Sequence, residues 1–229
     1  MLINIEGLDG VGKSSVVDYI SSTLNIPIIS KPLNRLLELS KEQSNSIKER
    51  IHRDYSPNLQ AMYYLMGHLS ALEDGHKQDS ILDRGFLSTY YFSSNENNMN
   101  LFDTFASTFT PPDITIVLYA SIEERIRRIK NRDSSDQDLK KKRIYQDGYQ
   151  KYFEALSKYN IPHLVIPTDN LNEDQVKRLV LRLIELWPTQ STRLQELFSI
   201  QNLSYLTNLT QEEIDELLQS KSYTKKRCE

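Results

Sequence analysis

Eight residues near the start of the chain, Gly7-Leu8-Asp9-Gly10-Val11-Gly12-Lys13-Ser14, have the composition and spacing of a phosphate-binding loop. Glycines let the backbone turn tightly, so that successive N–H groups converge on phosphate oxygens at the start of a helix. Lys13 adds a mobile positive charge near the outer phosphates, and the Ser14 hydroxyl is suited to ligating a Mg2+ ion that travels with them. The competing reading is a glycine-rich turn with a surface lysine. The flanks argue against it, because an apolar run, Leu2-Ile3-Asn4-Ile5, reads as a buried strand before the loop. After the loop, Val16, Val17, Ile20 and Leu24 fall on one face of a helix over residues 13–24.

A second chemical pair, Asp83-Arg84, follows the apolar run Ser80-Ile81-Leu82. In an open α/β sheet, ligands bind at the carboxyl ends of strands, so this pair is expected to face the phosphate site. A carboxylate there is suited to orienting Mg2+ or its water, and an arginine to gripping a phosphorylated substrate through two N–H groups. A strand-end salt bridge is the plainer alternative. Ser14 and Asp83 are the candidate metal ligands.

The elements that must hold these residues alternate. Strands are expected at 1–6, 26–29, 80–83, 114–119 and 163–166, with helices at 13–24, 33–52, 57–74, 121–130 and 173–186. Ser121 and Glu124 have capping-box spacing. Residues 93–100 are rich in asparagine and read as an exposed loop. Such alternation implies an α/β fold in three layers, a five-stranded parallel sheet flanked by helices. Pro188 to Ser191 marks a break, beyond which 193–200 and a helix opening at Thr210, again with a capping box to Glu213, form a helical C-terminal extension.

Charge is mixed, with 28 Lys and Arg against 31 Asp and Glu, which argues against a general nucleic-acid binder. One cysteine, Cys228, leaves no internal disulfide and no cysteine-based zinc cluster. Glu6 interrupts the first apolar run before a signal peptide develops, and no stretch reaches membrane-spanning length, so a soluble cytoplasmic protein is expected.

The segment from Ile5 to Ser15 closely resembles the opening of thymidylate kinases, and Asp83-Arg84-Gly85-Phe86-Leu87-Ser88 resembles that family's Asp-Arg motif with its following serine. Pro112-Asp113 before an apolar strand is similar as well. The likeness spans about residues 1–186. It implies a P-loop NTPase domain over 1–188 with a lid at about 130–143, followed by the extension at 189–229. It also implies a kinase that uses ATP and Mg2+. Its ATP-binding set would be Gly7, Asp9, Gly10, Val11, Gly12, Lys13, Ser14 and Ser15. Carried over position by position, Asp9 would contact the acceptor sugar, Arg84 the acceptor phosphate, and Phe92 would screen against a 2′-hydroxyl. Ser88 belongs to the same acceptor set. Tyr64 is the nearest match to the base-stacking aromatic, and is as readily a core tyrosine. Because Val11 stands where some members place an arginine, the transition-state arginine is expected from the lid. Arg132 sits best among Arg125, Arg127, Arg128, Arg132 and Arg143. Lys13, Asp9, Arg84 and Arg132 are thus the expected catalytic group.

The sequence departs from the family at three places. Ser30-Lys31-Pro32 replaces Arg-Glu-Pro, His68 replaces a base-reading arginine, and Gly85 stands where Tyr or Trp is customary. Histidine at 68 offers fewer donors than a guanidinium and is expected to change charge near neutral pH. Phosphate machinery is intact while base recognition is altered. The expected partners are ATP and a nucleoside monophosphate or related small molecule, with no nucleic-acid polymer, no membrane, and a homodimer left open. Two other functions fit: a deoxynucleoside or other small-molecule kinase on this fold, and a nucleotide-binding regulatory protein without catalysis.

Overall fold

The computed structural model describes residues 1–29, 36–133 and 135–219, apart from the side chains of Gln137, Asp138 and Arg143. Strands β1 (Leu2–Glu6), β2 (Ile28–Ile29), β3 (Ser80–Asp83), β4 (Ile114–Tyr119) and β5 (His163–Pro167) form one parallel sheet in the order β2-β3-β1-β4-β5. Ten α-helices are described: α1 (Lys13–Leu24), α2 (Lys41–Asp54), α3 (Pro57–Gly75), α4 (Phe86–Ser93), α5 (Met99–Ala106), α6 (Ile122–Arg132), α7 (Tyr149–Lys158), α8 (Glu173–Leu197), α9 (Leu203–Leu206) and α10 (Gln211–Gln219).

The strands are apolar nearly throughout because both faces of the sheet are covered. Ile3, Ile5, Ile116, Leu118, Leu164 and Ile166 point to one side and share a core with α1, α8 and the C-terminal helices. Val117 and Val165, one residue out of phase, point to the other side and meet α3, α4, α5 and α7. This is the three-layer arrangement that the alternating pattern implies. Parallel register sets Ile5 beside Asp83, so the residues that follow β1 and β3 emerge together at one end of the sheet.

The structure refines four local expectations. The second strand is shorter, beginning at Ile28. The exposed loop expected over 93–100 is confined to 94–98: Asn95, Glu96 and Asn97 are exposed, but Asn98 is fully buried, its side-chain carbonyl accepting the Asn95 N–H at 2.8 Å and its amide donating to the Ser93 carbonyl at 2.9 Å. These side-chain bonds replace a ladder and launch α5 directly. The Ser121 hydroxyl does accept the Glu124 N–H, but the Ser121 N–H donates to Asp169, and the Glu124 carboxylate turns to Arg127 and Arg128. Finally, the break expected at 188–191 is present as a kink within α8, two residues beyond Pro188. Gln190 leaves helical geometry (φ −135°, ψ 20°), yet Trp187 and Leu194 on either side reach the same core. The expected helix over 33–52 is described from Lys41 to Asp54, and Ser30-Lys31-Pro32 lies outside the described residues.

Candidate active site

The loop between β1 and α1 follows the backbone course that its glycines permit. Gly10 has φ +87°, and a Cβ there would stand 2.7 Å from the Arg125 carbonyl of α6. Gly12, at φ +92°, caps α1 with no side-chain hydrogen bond, and the first turn holds no acidic residue. The N–H groups at the start of α1 are thereby free of side-chain competitors, as an incoming phosphate requires. Lys13 is buried, with its Nζ 3.6 Å from Asp83 Oδ1. Burial, and then the Arg84 charge, pull its pKa below the usual lysine value, while Asp83, Glu6 and Asp9 oppose that shift.

Asp83 Oδ1 is buried, has no hydrogen-bond partner among the described residues, and lies beyond hydrogen-bond distance of Lys13. Ser14 is exposed at the first turn of α1. A carboxylate oxygen without a hydrogen bond and an exposed hydroxyl next to Lys13 fit Mg2+, which takes one or two protein oxygens and draws its other ligands from phosphate and water.

On the other flank of the loop, Arg84 Nη2 donates to Asp9 Oδ1 at 2.6 Å. Arg84 has φ +66°, a left-handed conformation uncommon for a residue with a Cβ. Hydrogen bonds hold it there. Its N–H donates to the Ile5 carbonyl at 3.2 Å. The next N–H, of Gly85, donates to Glu6 Oε1 at 2.8 Å. Glu6 is fully buried and also accepts the Ser88 N–H at 3.2 Å and the Ser88 hydroxyl at 2.6 Å. The Ser88 oxygen lies 3.0 Å from the Tyr152 hydroxyl and 3.5 Å from Arg84 Nη1. Burial works against the Arg84 charge, but Asp9, Tyr152 and Glu6 outweigh it and the net direction is upward. Phe92 stands beside this guanidinium, 5.9 Å from its ring centre. Lys13, Asp83, Asp9, Arg84, Ser88 and Phe92 therefore gather around one loop.

Other expected residues make contacts of a different kind. His68 is buried, with its ring centre 5.7–6.3 Å from those of Phe86, Phe105 and Phe109. Its Nε2 has no partner, and burial drives its pKa down to about 3. The expected change of charge near neutral pH is thus overturned by enclosure in an aromatic cluster. His68 and Gly85, two of the departures from the family pattern, also meet: a Cβ at Gly85 would stand 3.0 Å from the His68 ring and 2.9 Å from Asn4. Tyr64 is half-buried and pairs with His52 across α2 and α3 at 2.7 Å.

Among the arginines, Arg132 is exposed at the end of α6 and paired with Asp136. Arg128 is tied to the Val11 carbonyl and to Thr168, bracing the loop against the end of β5. Arg127 pairs with Glu124, and the Arg143 side chain lies outside the described residues. Glu6, Tyr152 and a buried Arg125 are site neighbours that the sequence pattern did not single out for these contacts. A carboxylate closing an apolar strand beside the loop was the available signal for Glu6.

The thymidylate kinase family model matches residues 5–180. A probable thymidylate kinase from Metallosphaera sedula is 25% identical over 179 residues, covering 74% of this chain and 87% of that protein. A cytidylate kinase from Sulfurisphaera tokodaii is 27% identical over 189 residues, covering 79% and 93%. A deoxyadenosine kinase from M. mycoides, solved with the products dCMP and a flexible dCDP, superposes with a TM-score of 0.60. It is 22% identical, with 81% of this chain and 99% of that one covered, a likeness of fold. The family match takes in the loop, Asp83-Arg84 and α6 together, and the chain belongs to the thymidylate kinase family.

Proposed function

We propose that this kinase transfers the γ-phosphoryl group of ATP to the phosphate of a nucleoside monophosphate. The observation that carries this reading is the division of charge about one loop: Lys13 and Asp83 on the donor side, Asp9 and Arg84 on the acceptor side. The open N-terminus of α1 and Lys13 hold the β- and γ-phosphates and draw off the charge that develops on the transferred group. Arg84, fixed by Ile5, Glu6 and Ser88, exchanges its hold on Asp9 for the acceptor phosphate. That exchange releases the Asp9 carboxylate to a sugar hydroxyl. Ser14 and Asp83 would hold Mg2+, which would supply positive charge to offset that of the nucleotide's outer phosphates. Arg132, exposed at the edge of the lid segment, is the candidate to reach the transferring group as the lid closes.

A second reading, a deoxynucleoside acceptor, is favoured by the structural neighbour that carries dCMP as a product. A screen of nucleosides and nucleoside monophosphates for ATP-to-ADP turnover separates the two. The proposal expects turnover with one or more monophosphates, and expects Arg84→Ala to raise the acceptor KM at least about tenfold while ATP binding changes little. Efficient phosphorylation of bare nucleosides, with every monophosphate ignored, would establish the second reading instead.

A further inference from the structure

Arg125 is only 2% exposed, yet it forms no salt bridge with any described residue. Its Nη2 donates to the carbonyls of Ile144 and Gln146, both at 3.3 Å, and its Nε is buried without a partner. The Tyr149 ring lies beneath the guanidinium at 5.8 Å. The guanidinium carries a full positive charge into this setting. A buried charge held by two long bonds to neutral carbonyls is poorly compensated.

The side chain is not enclosed on every side. With Leu8, Asp9, Tyr91, Phe92 and Ile144 it lines a small, partly open recess, a cavity of about 10 Å3. Asp9 is the single carboxylate among those residues, and Arg84 already engages it. The same Phe92 that lines the cavity stands beside Arg84. Asp9 thus lines the recess beside Arg125 while bonded to Arg84, so one carboxylate answers two guanidinium charges.

We infer that Arg125 is a second acceptor-side cation, contacting the anionic group of the acceptor together with Arg84; this rests on the monophosphate reading above. A phosphate monoester carries close to two negative charges and three terminal oxygens at neutral pH. One bidentate arginine satisfies two of those oxygens and half of that charge. The unused Nε of Arg125 supplies a further donor, and its charge completes the balance. Binding the anion also ties the acceptor to the segment 144–146 through the same guanidinium, so acceptor and lid stem are held by one side chain.

The test is equilibrium binding by calorimetry, without ATP, of the best monophosphate from the screen and of its parent nucleoside. Wild type, Arg84→Ala, Arg125→Met and Arg125→Lys are compared. Arg125→Met keeps the aliphatic stem and removes the charge. It is expected to weaken the monophosphate at least tenfold and the nucleoside less than twofold, with ATP affinity unchanged, and Arg125→Lys is expected to restore most of the loss. Equal weakening of both ligands would show that Arg125 only pins the carbonyls of Ile144 and Gln146, and would overturn the inference. So would no weakening of either. If wild type and Arg84→Ala differ on the monophosphate while Arg125→Met matches wild type, this inference alone fails. If wild type binds no monophosphate, the functional reading fails and takes the inference with it. Should Arg125→Met not fold, the monophosphate-to-nucleoside ratio of Arg125→Lys and Arg125→Gln decides, because a structural pin leaves that ratio unchanged.

Discussion

Lys13 and His68 both lose solvent on folding, and their neighbours decide the consequence. Around Lys13 stand three carboxylates that oppose the lowering of its pKa by burial and by the Arg84 charge. Lys13→Ala is expected to lower turnover at least about a hundredfold, the scale on which a single preorganised donor acts. Steady-state rates near wild type would remove the loop from the reaction. Around His68 stand phenylalanines, and its ring stays neutral. The linkage has a definite sign. Between the folded value of about 3 and the unfolded value near 6.5, the unfolded chain binds the extra proton. Stability is therefore full above about pH 6.5 and declines toward pH 3. His68 alone accounts for a loss of roughly 2 kcal/mol by pH 5. Denaturant titrations at pH 7.5 and 5.0 should show His68→Leu losing less stability than wild type over that interval. Equal losses would place the histidine in water. The type and helix position of His68 were legible in the sequence. Its enclosure was not, because Phe105 and Phe109 come from a segment whose helix the sequence pattern did not reveal.

At the scale of elements, the sheet was legible because its strands are short apolar runs whose ends are marked by Gly7, Asp83 and Pro112-Asp113. Helices α5 and α7 were not, because their buried positions are filled by Phe102, Tyr149 and Tyr152, aromatic residues that suit strands equally well. The join between β1 and α4 was also hidden. Glu6 accepts bonds from residues 79 and 82 positions later, a pairing that no local pattern announces. That join has a measurable consequence, since Glu6 terminates α4 in place of a side-chain cap and holds the left-handed Arg84 in its turn. Glu6→Gln puts an amide donor against groups that themselves donate. Each buried group left unpaired costs about 1–3 kcal/mol. The variant is expected to melt at a lower temperature and to raise the acceptor KM more than the ATP KM. An unchanged acceptor KM in a folded variant would separate the turn from acceptor binding.

At the scale of the whole molecule, the residues past the family match are built into the core. β5 is an edge strand, and an uncovered edge invites pairing with another chain. Here the Val165 N–H donates to the Phe198 carbonyl at 2.8 Å, so the segment after α8 closes part of that edge. Leu206, Leu209, Ile214 and Leu218 pack into the same cluster as Ile3 and Val17. Arg193 reaches from α8 to the carbonyls of Leu217 and Leu218 at the end of α10, and Asn170 donates to the Thr207 carbonyl at 2.7 Å. Burying four apolar side chains contributes roughly 1.5–3 kcal/mol each, comparable in sum to the whole stability of a typical domain. The phosphate loop shares this cluster through Val11, Val16 and Val17, so loosening it reaches the site without touching a substrate. A chain ending at Asn202 is therefore expected to melt well below the full chain and to associate at concentrations where the full chain does not. Scattering and thermal melting read both effects. Arg193→Ala, which removes the clasp on α10 together with the bond to Gln190, should shift the melt in the same direction by a smaller amount. A shortened chain that melts with the full one would show that the C-terminal helices rest on the kinase core without supporting it.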